Sequence, residues 1–178
     1  MTVFRTLVCT LMLAALLLAV SSSAWATGPF GLSVHASTPE QLHERFPGAA
    51  SKGINRWSQG PMFEVPGHRL PLEGARDALF IFSADERLDA VVITMNKNRF
   101  NAVRGLLDER YRQTRAQVPF VGDAFVAWRE QDVIIELDSP HLGFQMTLSY
   151  KSSEFVARFE AGRRAEAEAR RQREADQL

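Results

Sequence analysis

Apolar and polar residues follow two rhythms along this chain, and the switches between them outline its elements. Two-residue alternation is cleanest over Phe144–Tyr150. Phe144, Met146, Leu148 and Tyr150 fall on one face there, and Gln145, Thr147 and Ser149 fall on the other. A strand of this kind buries one side and wets the other. Ala78–Ser83 (ALFIFS) and Leu88–Met95 (LDAVVITM) are denser in β-formers and read as a hairpin turning through Ala84-Asp85-Glu86-Arg87. Ala124–Trp128 and Val133–Leu137 are further strand candidates. The helical rhythm of three and four appears at Phe100, Val103, Leu107 and Tyr111, which predicts a helix over Arg99–Thr114 with Asn96 or Asn98 as its cap. A shorter helix is predicted over Pro39–Phe46. Thr38 caps it, Pro39 suits the first helical position, Gln41 completes a capping box and Pro47-Gly48 stops it. Leu42 and Phe46 would face the core. Phe30–His35 reads as a short first strand. The stretch 49–77 reads as irregular, broken by proline and glycine, with one strand near Met62–Val65.

These elements predict an α+β domain: an antiparallel sheet with helices packed on one face, followed by a charged helical tail. Phe155, Val156 and Phe159 can dock that tail. Beyond them, residues 160–178 carry almost no apolar side chain larger than alanine, and Glu160 with Arg164 and Glu166 with Arg170 stand in the favourable i,i+4 order of a solvated helix. The order helix, irregular segment, hairpin occurs twice, which suggests tandem units at 28–95 and 96–151. Ala78–Phe82 resembles Ala124–Trp128, and Leu88–Met95 then corresponds to Val133–Leu137. Duplication and the general likeness of hairpins both account for this.

Residues 1–26 have the three parts of a signal peptide: Arg5 in a short positive region, the apolar run Leu7–Val20, and a small-residue segment ending Ala24-Trp25-Ala26. Cleavage after Ala26 would leave 152 residues with a formal net charge of about −1. The expected division is therefore a leader at 1–26, a domain at 27–159 and a tail at 160–178. Cys9 is the single cysteine and lies inside the apolar run, out of position for a lipid anchor. A cleaved chain would have no thiol for a disulfide, a nucleophile or a zinc site. Near-neutral charge without a long one-sign block lacks the electrostatic footprint of a nucleic-acid binder. No later run is apolar for long enough to span a bilayer. The address implied is the periplasm or the medium.

Phe30-Gly31-Leu32, the helix opening at Thr38–Gln41 and the hairpin Leu79–Met95 together resemble the tandem α/β modules of the β-lactamase-inhibitor-protein family and the related BamE-like outer-membrane assembly modules. The resemblance could cover most of residues 28–150. It implies binding of other proteins through an exposed sheet face and its loops. The chain departs from that pattern in lacking disulfides and a lipid anchor. Phe120–Tyr150 also resembles the C-terminal part of small secreted bacterial proteins.

Candidate chemistry is sparse. His35, His43, His68 and His141 stand at no local metal-ligand spacing, so no metal and no cofactor is expected. Asp138-Ser139-Pro140-His141 holds an acid, a hydroxyl and an imidazole, yet neighbours leaving a strand diverge, whereas a catalytic triad must converge. The segment reads as a turn. Glu136 and Asp138 share one strand face and cannot flank a substrate from two sides. No catalytic residue is assigned. Trp57, Phe63 and Phe120 lie beside loop signals, and a shared surface would make them a binding hot spot. With Asp138 and His141 they form the candidate binding set. The expected function is an exported, non-catalytic interaction protein of the bacterial periplasm, with another envelope protein as partner, the contact falling on the exposed sheet face or the Ser139–Gly143 loop. Two alternatives stand beside it: a small-ligand carrier with a pocket between sheet and helices, and an enzyme with a scattered His/carboxylate site.

Overall fold

In the computed structural model, which describes residues 27–177, the chain runs α1 (Pro39–Arg45), β1 (Ala50–Ile54), β2 (Gln59–Pro66), β3 (Ala75–Ser83), β4 (Leu88–Asn96), α2 (Phe100–Arg110), β5 (Arg112–Gln117), β6 (Ala124–Glu130), β7 (Val133–Ser139), β8 (Gln145–Ser152) and α3 (Ser153–Ala175). The expected leader, residues 1–26, lies outside the described residues. All eight strands join one antiparallel sheet in the order β1-β2-β3-β4-β8-β7-β6-β5. The fold is α+β. Strands β1–β4 and β5–β8 each form a meander preceded by a helix, and the two meanders meet at β4 and β8. That pairing runs without irregularity from Ala90↔Lys151 to Asn96↔Gln145.

Alternation gives the sheet two different faces. One carries Val65, Phe80, Val91, Ile93, Trp128, Ile135 and Leu148 in a continuous buried core with Leu42 from α1, Phe46 just after it, and Phe100, Val103 and Leu107 from α2. On the other face Ile81, Ala90 and Phe155 form a smaller cluster, joined by Trp57, Met62 and Leu79. Phe155 belongs to α3. The two helices of the domain, α1 and α2, cover one side, and α3, the charged C-terminal helix, docks on the other. No helix among the described residues is long and apolar enough to cross a membrane.

The capping box of α1 forms as expected. The Thr38 hydroxyl accepts from the Gln41 N–H at 3.5 Å, and the Thr38 N–H donates to Gln41 Oε1 at 3.2 Å. Three other expectations need correction. Phe30 and His35 take positive φ angles of 62° and 70°, so Phe30–His35 cannot extend into a strand and holds a 3-10 turn at Pro29–Gly31 instead. Helix α2 opens from a 3-10 turn at Lys97–Arg99 with no side-chain cap from Asn96 or Asn98, and it stops at Arg110, where Tyr111 turns extended, buries its ring against Tyr150 and leads into β5. Phe144 precedes β8 and is exposed, unlike Met146, Leu148 and Tyr150, which are buried. The two segments matched in the sequence occupy different places in their meanders. Ala78–Phe82 lies in the third strand of the first meander, and Ala124–Trp128 lies in the second strand of the second.

Both edge strands are fully exposed and polar or small in sequence, and each breaks register once, between Ser51 and Ile54 and between Gln113 and Arg115. Such edges discourage pairing with another chain. Next to the β5 edge, Trp128 is fully buried and its indole N–H donates to Asp108 Oδ1 at 2.8 Å, which ties β6 to α2.

Helix α3 is fastened at its first turn. The Ser152 hydroxyl accepts from the Phe155 N–H at 2.9 Å and donates to Asp89 Oδ1 at 3.2 Å. Arg158 pairs with the other Asp89 oxygen and, at 2.5 Å, with Glu154. Burial pushes the Asp89 carboxyl above the usual carboxylate range, against the pull of Arg158 and Ser152. Further along, Gly162 lets the Trp57 ring lie against the helix backbone, where a Cβ would fall 2.0 Å from Trp57 Cζ3. Phe159 meets the same ring edge-to-face at 5.7 Å.

Two stability predictions follow from these anchors. Asp108→Ala strands the buried indole donor and is expected to cost about 1–3 kcal/mol in urea denaturation, while Asp108→Asn, which keeps an acceptor, costs less. Arg158→Met leaves Asp89 buried without its cation and should cost about 3 kcal/mol at neutral pH. Its loss raises the folded-state pKa of Asp89 further above the unfolded value, so the native state holds the proton more tightly. The penalty is therefore full at neutral pH, shrinks as pH falls through the raised folded-state values of Asp89, and is gone by the ordinary carboxylate range. Denaturation of both proteins across that range measures it; a penalty independent of pH would contradict the assignment.

Candidate functional site

The candidate binding residues fall on three surfaces. Phe63 lies on the helix-covered face, edge-to-face with His43 at 4.8 Å and with Phe82 at 5.9 Å. It is a packing residue at the rim of the core. Trp57 lies on the opposite face, under α3, with the Arg56 guanidinium 4.2 Å from its ring centroid. Phe120, Asp138 and His141 gather at one end of the sheet. The three aromatics therefore do not make one hot spot.

That end is built by two neighbouring hairpin connections, 118–123 between β5 and β6 and 140–144 between β7 and β8. They are tied together and to the start of the segment before α2. The His141 N–H donates to Asp123 Oδ1 at 2.5 Å. Lys97 Nζ donates to the carbonyl oxygens of Pro140 at 2.5 Å and His141 at 3.0 Å, and the Lys97 N–H donates to Phe144 O at 2.9 Å. Held in this way, the two loops present Phe120 fully to water, Leu142 and Phe144 at 89% and 90% exposure, and Val121 at 66%. Neighbouring large apolar side chains left in water mark an interaction site more often than isolated ones do. Leu142, Phe144 and Val121 were missed in the sequence. Gly122 and Gly143 beside them were the available signal, and Phe144 was hidden because it continues the alternation of β8.

The Asp138–His141 segment has no triad geometry. Asp138 and Ser139 point to opposite faces, Asp138 exposed and Ser139 buried, and the His141 backbone is engaged by Asp123. The remaining ionisable candidates are spread out. The His35 imidazole meets Asp132 at 2.6 Å at the far end of the sheet. His43 Nδ1 lies 2.7 Å from Pro39 O. Glu136 pairs with Lys151 on the face under α3. Among the described residues no group of three His, Cys, Asp or Glu side chains could hold a metal ion.

The second concave feature is a groove of about 740 Å³ between α3 and the sheet. Ile81 and Val92 form its floor, and Trp57, Phe155, Val156 and Phe159 form its apolar wall. The Glu136–Lys151 pair, Glu160, Arg163 and Arg164 border it. The groove exists because α3 is fastened at its N-terminal turn and held at Gly162, while its later residues reach the body through Glu166, which pairs with Arg56 at 3.0 Å. Among these, all the described residues from Arg163 to Gln177 are exposed.

No protein-family model matches this chain, and no match was found among curated proteins or solved structures.

Proposed function

We propose that this chain is an exported, non-catalytic interaction protein of the bacterial periplasm, and that it grips another envelope protein by the loop end of its sheet. The observation that carries this reading is the set of four large apolar side chains, Phe120, Val121, Leu142 and Phe144, left in water on two loops that the hydrogen bond from the His141 N–H to Asp123 ties together. Docking would take these apolar side chains out of water, which favours affinity. The dispersal of the histidines and carboxylates favours binding over catalysis. The leader-like segment 1–26 supports export.

The two helix-and-meander halves are read as a tandem pair. Their shared element order and their meeting at β4 and β8 support this reading, with β3 and β4 corresponding to β7 and β8. The earlier matching of Ala78–Phe82 to Ala124–Trp128 is one strand out of step with it.

The test is a triple variant, Phe120→Ser with Leu142→Ser and Phe144→Ser. These side chains are solvent-exposed, so thermal unfolding should shift by no more than about 0.5 kcal/mol in stability. Crosslinking in periplasmic extract, followed by co-purification, should give one defined partner for the unaltered chain, and the variant's affinity for it should fall at least about tenfold. Equal recovery by the variant, or no partner for the unaltered chain, would sink the reading.

A further inference from the structure

The groove under α3 is separate from the loop end, and its lining points to a different kind of occupant. We infer that it binds a single-chain amphipathic anion: an alkyl chain along the apolar floor, and a carboxylate or phosphate head at Arg163 and Arg164.

Two observations carry this. The first is the chemistry of the walls. Ile81, Val92, Trp57, Phe155, Val156 and Phe159 surround a volume of about 740 Å³, within the range of small-molecule sites. From Phe155 to Ala167 the helix borders it for about 18 Å at 1.5 Å per residue. Such walls offer almost nothing for hydrogen bonding. An extended peptide laid there would bury unpaired N–H and C=O groups at a cost, whereas an alkyl chain has none.

The second observation is the balance of charge at the rim. Glu136 is occupied by Lys151, and Glu160 faces Arg164 at 3.7 Å. The guanidinium of Arg163 stands 5.8 Å from the Phe159 ring centroid and has no carboxylate partner among the described residues. The border thus holds three cations against two anions, and the cation left over stands beside the apolar wall. An anionic head completes this arrangement, a cationic head opposes it, and a neutral head gains nothing from it.

Calorimetric titration of the full chain tests the inference, with dodecanoate and dodecyl phosphate as probes below their micelle-forming concentrations. Dodecyltrimethylammonium and dodecyl maltoside serve as controls. One or both anions should bind at a single site more tightly than either control, and the stronger of the two identifies the head. Arg163→Gln with Arg164→Gln alters only exposed side chains, and it should weaken anion binding about fivefold while leaving the maltoside unchanged. 12-Bromododecanoate should quench tryptophan fluorescence in the unaltered chain, and Trp57→Phe should remove that component. Equal binding of all four probes, binding unaffected by the double arginine variant, quenching that survives Trp57→Phe, or no binding at all would overturn the inference. An amphipathic helical peptide that displaces the bound anion and binds more tightly than it would also overturn the inference. None of these results depends on the loop end, so the partner reading stands or falls separately.

Discussion

The pairing of β4 with β8 is the constraint on which the rest of the structure depends. Every other strand pair is a local hairpin, which a short turn can bring together. This one joins two meanders that are each half-sheets with a single helix to cover them. Its flush register, Ala90↔Lys151 through Asn96↔Gln145, places Val91 opposite Tyr150 and Ile93 opposite Leu148. The rows of the two halves then run on as one apolar surface, and α1 and α2 share one core. A slip of one residue would turn every side chain of one half to the wrong side. The same register sets Ala90 beside Lys151 on the other face, where α3 and the groove are found.

Much of the helix-covered face was legible in the sequence, because it is recorded as strong periodicity. The capping box at Thr38–Gln41, the Phe100/Val103/Leu107 stripe and the hairpin of β3 and β4 all appear close to where their residue types put them. The edge strands were not legible. Ala50–Ile54 (ASKGI) and Arg112–Gln117 (RQTRAQ) bury no apolar face, so they leave no alternation to read. They are strands because a neighbour offers them hydrogen bonds. Missing Arg112–Gln117 ran the expected helix on to Thr114.

The candidate surfaces were legible only in part, for a related reason. Phe120 and His141 announced themselves through the loop residues around them. Phe144 did not, because position 144 fits the alternation of Met146, Leu148 and Tyr150, and sequence cannot say where a strand lets go of its partner. The face taken by α3 was equally hidden. Phe155, Val156 and Phe159 declare that the helix docks, but the side it chooses is fixed by Asp89 and Ser152 at its first turn and by the space that Gly162 leaves for Trp57. Two buried or half-buried polar contacts and one absent methyl group decide it.

The bulged, polar edges of β1 and β5 contrast with the regular, apolar edge that β4 offers to β8, and this bears on how the chain assembles. A first meander that forms before β8 docks has one guarded edge and one unguarded edge, and the unguarded one is rich in Val, Ile and Met. The longer that state lasts, the more readily its open edge recruits a strand from another molecule. The order in which the two halves come together thus governs loss to aggregation, although in the finished fold β8 covers that edge.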